Sequence, residues 1–325
     1  MSAPSPLDES PLPFLFLMSN LKHLPRTGWL RTVEAPESVG SHSFRLALMG
    51  GFAPPPLDRM KCMFIGLCHD LAESVVGDIP TYAGVPKEEK HKRESLAFRF
   101  IADLVKPCNA AFADEITSAW LDYEEGRTEE GRWMKEMDKL ECLIQAHEYE
   151  QATFAEKDLE EFQGLTSKIS STDGTAWLEL LRGERSAHMS KRLHRLPIVF
   201  VTGREDMLEK HYARLCAELG FKHISLSDVL HDFSRRQNDL HTQFVRDCLR
   251  ENIEVPAVLV VSLLEKKIQE VSTEEKEWVL VSGFPSSKEQ LLEFERKNQY
   301  RNYTVLLSQP HAWVLREGGV MGFCC

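Results

Sequence analysis

Apolar residues recur at helical spacing from about Pro13 to Glu161, and at Leu196 the pattern gives way to a β-branched run, Pro197-Ile198-Val199-Phe200-Val201-Thr202-Gly203. One core does not serve both periods. A 3.6-residue repeat lays an apolar stripe along a helix, whereas an unbroken β-branched run closed by glycine reads as a strand buried on both faces of a parallel sheet. The chain is therefore predicted to be multi-domain, all-α first and α/β second. Its 325 residues, 42% apolar and 27% charged, suffice for two cores.

The boundaries follow from composition. Residues 1–12 read as a loose Pro- and Ser-containing tail, 13–185 as the helical domain, 186–195 as a basic linker ending in Lys191-Arg192-Leu193-His194-Arg195, and 196–325 as the α/β domain. The helical periodicity predicts helices from Arg59 to Val76, Lys87 to Val105 and Gly131 to Tyr149. Gly77-Asp78-Ile79-Pro80 is a stop signal, and the stretch from Phe162 to Leu193 turns polar. After Leu196, strands are expected at Lys222 to Ser225, Glu277 to Ser282 and Tyr303 to Leu307, with helix signals between them.

A net charge of -11 argues against a nucleic-acid polymer as partner, because displacing counterions from phosphates needs a positive face. Any nucleotide partner is then a small molecule. Eight cysteines without a CxxC pair suit reduced thiols and a cytoplasmic protein, the nucleus being equally compatible. The apolar stretch Phe14 to Met18 is too short to span a membrane, so none is expected as partner. Cys324-Cys325 reads as a short exposed tail, since Gly322 stands where the cysteine of a prenylation box would be.

The chemistry gathers at Cys68-His69-Asp70-Leu71-Ala72-Glu73-Ser74-Val75-Val76-Gly77-Asp78, where ionisable groups interrupt an apolar helix and would be costly to bury unpartnered. His69 and Asp70 both reach a cation beside the helix, Glu73 falls one turn on, and Asp78 lies just past the helix end, placed to bond a hydroxyl. One helix cannot close a coordination shell, and His42 and Asp138 are candidates from other helices. A mixed imidazole and carboxylate set suits a divalent transition metal: Mn, Co, Fe, Ni or Zn. Taken singly, each residue has an ordinary explanation as a core histidine or a solvated carboxylate.

The ordered series Pro25-Arg26-Thr27-Gly28-Trp29, Pro36 to His42, His69 to Pro80, Pro86-Lys87-Glu88-Glu89-Lys90-His91 and Met137-Asp138-Lys139-Leu140-Glu141 resembles the HD-domain phosphohydrolases, and within them the 5'-deoxynucleotidases. The resemblance implies an HD-domain helical fold. It also implies His42, His69, Asp70 and Asp138 as metal ligands, Glu73 as the acid/base group, Arg26 as the phosphate contact, and Trp29 and Asp78 as sugar-side contacts favouring deoxyribose. Asp78 thus counts with Glu73 as catalytic and with Arg26 and Trp29 as substrate-binding. The mixed-sign run from Glu88 to Arg93 reads instead as a solvated helix face.

From Leu196 the chain resembles a P-loop kinase core of the adenylate or UMP/CMP kinase type, through Ile198 to Gly203, Cys216 to Ser225, Asp228-Val229-Leu230 and Gly283-Phe284-Pro285. Its phosphate loop is degenerate: Leu208 stands where the second glycine belongs and Glu209 where the lysine belongs. His231 and Ser286 replace two further arginines, and no arginine-bearing lid is visible after the last strand. The resemblance implies a domain that regulates or assembles rather than transfers phosphate. The expectation is a metal-dependent 5'-deoxynucleotidase, a homodimer, acting on a small nucleotide. The alternatives are an HD hydrolase with another phosphoester substrate and a catalytically silent nucleotide-binding regulator.

Overall fold

A computed structural model describes residues 7, 9–152, 159–190, 198–202, 216–217, 220–236, 241–271, 278–297, 303–309, 312–317 and 320–324. The degenerate phosphate loop from Gly203 to His211, with Leu208 and Glu209, lies outside the described residues. The chain divides into two units, 1–150 with 157–187 and 151–156 with 188–325.

The first unit is helical. Its elements are α1 (Leu12–Met18), α2 (Val39–Gly50), α3 (Arg59–Cys68), α4 (Glu73–Val76), α5 (Lys87–Val105), α6 (Ala110–Glu124), α7 (Glu129–Ala152) and α8 (Thr172–Ser190). Side chains fix where several begin. The Ser38 hydroxyl accepts from the Ser41 N–H at 3.1 Å, Asp58 from Met60 and Lys61 at 2.9 and 3.1 Å, and Asn109 from Phe112 at 3.0 Å. Each satisfies amide groups that the first turn leaves orphaned.

Two glycines set how closely α2 and α3 approach. A Cβ on Gly50 would sit 2.6 Å from the Met63 nitrogen, and one on Gly66 would sit 2.8 Å from the Ala47 Cα. Only glycine lets the two backbones touch at these points, and the contact draws the chain around His42, on α2, toward His69 at the end of α3. Leu46, Ile65, Ile116, Met134, Met137 and Leu140, all fully buried, fill the core between α2, α3, α6 and α7.

The predicted helix from Arg59 to Val76 is interrupted. α3 ends at Cys68, residues 69–72 form turns, and α4 resumes at Glu73. The amides here step to three-residue spacing: Leu71 N–H to Cys68 O at 3.2 Å and Glu73 N–H to Asp70 O at 3.0 Å. The His69 ring competes for the Gly66 carbonyl that residue 70 would use in a continuous α-helix. Gly77, with φ of +76°, ends α4. The polar stretch from Phe162 to Leu193 also differs from its reading: it holds a 3-10 helix, Glu160–Lys168, and α8, which continues into the stretch read as linker. The Glu136 carboxylate anchors the turn between them, accepting from the Ser170 and Ser171 amides at 3.1 and 2.8 Å.

The second unit carries β1 (Ile198–Thr202), β2 (Lys222–Ser225), α9 (Leu226–Arg235), α10 (Thr242–Arg250), α11 (Ala257–Val271), β3 (Val279–Ser282), α12 (Lys288–Lys297), β4 (Tyr303–Gln309), β5 (Ala312–Glu317) and β6 (Val320–Cys324). The sheet order is β2-β3-β1-β4-β5-β6. β1, β2, β3 and β4 pair in parallel, β4 to β6 antiparallel. Along β1, Ile198 and Phe200 join the cluster that includes Phe233, Val245 and Leu264, while Val199 and Val201 pack with Leu280 on the opposite face. That two-sided burial is why the sequence shows an unbroken apolar run. The β5–β6 hairpin corrects the reading of Cys324 as part of an exposed tail, since Cys324 pairs with Trp313; Cys325 lies outside the described residues.

Candidate active site

Three side chains from two separate segments cluster, His42 on α2 with His69 and Asp70 in the turn after α3, their ligand atoms all within 4.8 Å of one another, and Asp138 on α7 adjoins this cluster through His42. His42 Nε2 lies 3.2 Å from His69 Nε2, 3.3 Å from Asp138 Oδ1 and 3.8 Å from Asp70 Oδ2, and His69 Nε2 lies 3.1 Å from Asp70 Oδ2. Arg26, just before the 3-10 turn Thr27–Trp29, reaches the same cluster, with Nη1 3.1 Å from Asp70 and Nη2 3.7 Å from Asp138.

The outer nitrogens of the two rings are tied off. His42 Nδ1 bonds Glu141 Oε2 at 2.6 Å, and His69 Nδ1 bonds the Gly66 carbonyl at 2.9 Å. A carbonyl only accepts, so His69 Nδ1 must donate, and its Nε2 lone pair turns inward. Glu141 is held below the ordinary carboxylate value although burial opposes it, because His42 and Arg45 both bond it, and this favours the same tautomer for His42. Asp138 is oriented likewise. Its Oδ2 accepts from the Tyr123 hydroxyl at 2.7 Å and from Lys139 Nζ at 2.6 Å, leaving Oδ1 to face His42. Two imidazole nitrogens and the Asp70 carboxylate thus cluster as possible ligands, with Asp138 Oδ1 beside His42, a set of donor types that fits a divalent metal ion.

A metal ion would have to displace a proton that the surrounding carboxylates hold on His42. With protein groups alone, burial and then Arg26 work against a proton on His42, but hydrogen bonds to Asp138 and Glu141 outweigh them and lift its pKa to about 9. Burial would raise Asp70 and Asp138, yet His69 and Arg26 hold the first, and Lys139, His42 and Arg26 the second, below the ordinary carboxylate range. Glu73 moves the opposite way. It is 4% exposed, its Oε2 has no hydrogen-bond partner, and burial together with Asp70 and Asp78 pushes its pKa well above the usual value. A buried carboxyl displaced upward beside two other carboxylates is a pattern found in proton-transfer groups.

Asp78 is fixed by Thr27, whose N–H and Oγ1 donate to Oδ2 at 2.6 and 2.9 Å. Trp29 is buried beside the Arg26 segment. It is 3% exposed and its ring packs 4.2 Å from Phe162 and 5.2 Å from Tyr149, so it supports the Arg26 segment as core. The run from Glu88 to Arg93 divides: Glu89 pairs with Arg93 on the surface, whereas Lys90 Nζ turns to the Ile79 carbonyl at 3.2 Å.

Glu141, Tyr123 and Lys139 were not among the sequence candidates. Glu141 carries a signal in retrospect, since it lies three residues after Asp138 and so shares its face of α7. Glu141→Gln is expected to weaken metal affinity about 10- to 100-fold, as loss of a ligand-orienting carboxylate generally does, with metal titration of the purified variant as the check; unchanged affinity would refute the orienting role.

The HD domain family matches residues 18–176 of the chain. The chain is 38% identical over 177 residues to 5'-deoxynucleotidase hdd1 of Schizosaccharomyces pombe, which spans 54% of this chain and 89% of that protein. It is 37% identical over 179 residues to 5'-deoxynucleotidase YGK1 of Saccharomyces cerevisiae, spanning 54% and 83%. Against 5'-deoxynucleotidase HDDC2 of Homo sapiens the identity is 35% over 182 residues, spanning 55% and 88%.

Proposed function

This chain belongs to the HD-domain family, and we propose that its first unit is a metal-dependent 5'-deoxynucleotidase that hydrolyses deoxynucleoside 5'-monophosphates to deoxynucleoside and inorganic phosphate. The observation that carries the proposal is the clustering of His42, His69 and Asp70, with Asp138 beside His42 and both outer imidazole nitrogens already bonded. The relatives named 5'-deoxynucleotidase support the substrate class.

His42, His69, Asp70 and Asp138 would hold the ion. When bound, it supplies Lewis acidity toward the phosphoryl group and a water of lowered pKa. Glu73, buried and with its Oε2 lacking a hydrogen-bond partner, accepts the proton of the attacking water. Arg26 already bridges Asp70 and Asp138 and so offers its guanidinium to the non-bridging oxygens of the phosphate. As the water oxygen bonds to phosphorus the phosphorus–O5' bond breaks, and the proton taken by Glu73 is returned to O5', directly or through solvent, so that the deoxynucleoside leaves as the alcohol. Asp78, steadied by Thr27, faces the sugar. Trp29, behind the Arg26 segment, and Asp78 are the sugar-side residues of this reading and favour deoxyribose.

The test is phosphate release from each deoxynucleoside monophosphate beside its ribose counterpart. The deoxy substrates are expected to be favoured at least about tenfold in kcat/KM, about 1.4 kcal/mol of discrimination. Equal rates would remove the deoxyribose preference, and activity only on other phosphoesters would reassign the substrate.

For the second unit we infer a kinase-like domain without phosphotransfer, serving regulation or assembly. What supports this is β1 at the centre of a parallel sheet, followed in sequence by a loop with Leu208 and Glu209 in place of glycine and lysine. Transfer of phosphate from ATP to AMP, UMP or CMP by the intact chain would overturn it.

A further inference from the structure

Thr27 is held from two sides. Its N–H and hydroxyl donate to Asp78, and its carbonyl accepts a 2.6 Å hydrogen bond from the Tyr82 hydroxyl. Tyr82 lies in the 3-10 turn Thr81–Ala83, four residues beyond Asp78, and is 47% exposed. The Arg31 guanidinium sits 4.6 Å from its ring centroid and is itself fixed by Glu161 at 2.8 Å. An exposed tyrosine whose hydroxyl is bonded to the backbone and whose ring is backed by a fixed cation loses little freedom when a flat ligand stacks on it.

The chain order supplies the direction. Arg26 faces Asp70 and Asp138, Thr27 faces Asp78, and Tyr82 closes on Thr27. From the metal-ligand cluster outward, this succession of a cation, a hydroxyl-bonding carboxylate and an aromatic ring parallels the phosphate, sugar and base of a 5'-nucleotide.

We propose that the nucleobase stacks on the open side of the Tyr82 ring, which makes Tyr82 the base-side contact of the substrate. This rests on the nucleotidase reading above. A ring surface discriminates poorly among bases, since every base offers a π-face; purine and pyrimidine deoxynucleotides should therefore be accepted with similar KM. Tyr82 does not touch the reacting atoms, and its effect belongs in binding rather than in the chemical step.

The experiment compares wild type, Tyr82→Ala and Tyr82→Phe on the four deoxynucleoside monophosphates and on 2-deoxyribose 5-phosphate, which carries the phosphate and sugar but no base. Tyr82→Ala is expected to raise KM for the nucleotides roughly tenfold or more, the size of a lost stacking contact. Its kcat/KM for the base-less substrate should fall far less than for the nucleotides, and Tyr82→Phe, which loses only the bond to the Thr27 carbonyl, should lose far less than Tyr82→Ala because the ring remains. Equal losses on the base-less substrate and the nucleotides, or a Tyr82→Phe defect matching Tyr82→Ala, would show that Tyr82 merely anchors the loop of Asp78 and would overturn the inference alone. An unchanged nucleotide KM in Tyr82→Ala would do the same. Wild-type protein that releases no phosphate from any of these substrates would overturn the nucleotidase reading and this inference with it.

Discussion

Asp70→Ala and His69→Ala proteins are expected to lose stoichiometric metal and at least about 10³-fold of the phosphatase rate, since a Lewis acid contributes several kcal/mol to such a reaction. The cause is geometric. Asp70 Oδ2 lies 3.1 Å from His69 Nε2 and 3.8 Å from His42 Nε2, so deleting it opens the shell on the side that Arg26 also faces. Without Asp70, Arg26 keeps only the longer 3.7 Å approach to Asp138 and is free to lie across the place of the ion. The helical core does not depend on either residue, because Leu46, Ile65, Met134 and Leu140 bury their side chains without them. Circular dichroism should therefore remain that of the wild type while elemental analysis and turnover fall together. Retained turnover in a metal-free Asp70→Ala protein would refute the ligand assignment.

Glu73→Gln is expected to keep the metal and lower kcat by about 10²- to 10⁴-fold, the range for removal of a proton-transfer group. It is not among the residues clustered at the ion, so metal content separates it from the ligand variants. A second, opposite effect follows from its burial. Burial, Asp70 and Asp78 raise the Glu73 pKa above its ordinary 4.5, so the folded chain holds a proton that the unfolded chain releases. Stability from this group is present below pH 4.5 and is lost as pH rises toward and through the folded value. The Gln variant lacks that loss. Urea denaturation in the presence of chelator should show Glu73→Gln gaining on wild type as pH increases above 4.5; a constant difference across pH would contradict the displaced pKa.

How much of this was readable beforehand differs between the two units. The residues alone offered His69 with Asp70 as a weak pair and left His42 and Asp138 as candidates; the ordered resemblance joined them, and the structure clusters His42, His69 and Asp70 and sets Asp138 beside His42. The break in the helix after Cys68 was not readable, because it arises from the His69 ring bonding the Gly66 carbonyl, a contact that hydrophobic periodicity does not encode. The packing around Trp29 was unreadable for a related reason. Its partners Tyr149 and Phe162 lie more than a hundred residues away, and only their packing shows the ring to be core. The approach of α2 to α3 was hidden in Gly50 and Gly66, which read as ordinary helix glycines until the facing backbone is seen.

In the second unit the β-branched run at Ile198 identified the central strand, because burial on both faces leaves no polar alternation to confuse the pattern. The β5–β6 hairpin lies beyond the last parallel strand of the kinase resemblance, and its sequence signal is Gly318-Gly319 between two β-rich runs. Among the described residues no helix is long and apolar enough to cross a membrane.

The most direct measurement takes the purified full-length protein through chelation and re-metallation, with elemental analysis and phosphate release from a deoxynucleoside monophosphate read on the same samples. The expected result is loss of both on chelation and recovery of both together on adding Mn or Co. Undiminished phosphate release from protein shown to be metal-free, or full metal occupancy without release from any deoxynucleotide, would contradict the assignment of His42, His69, Asp70 and Asp138 as a catalytic metal centre.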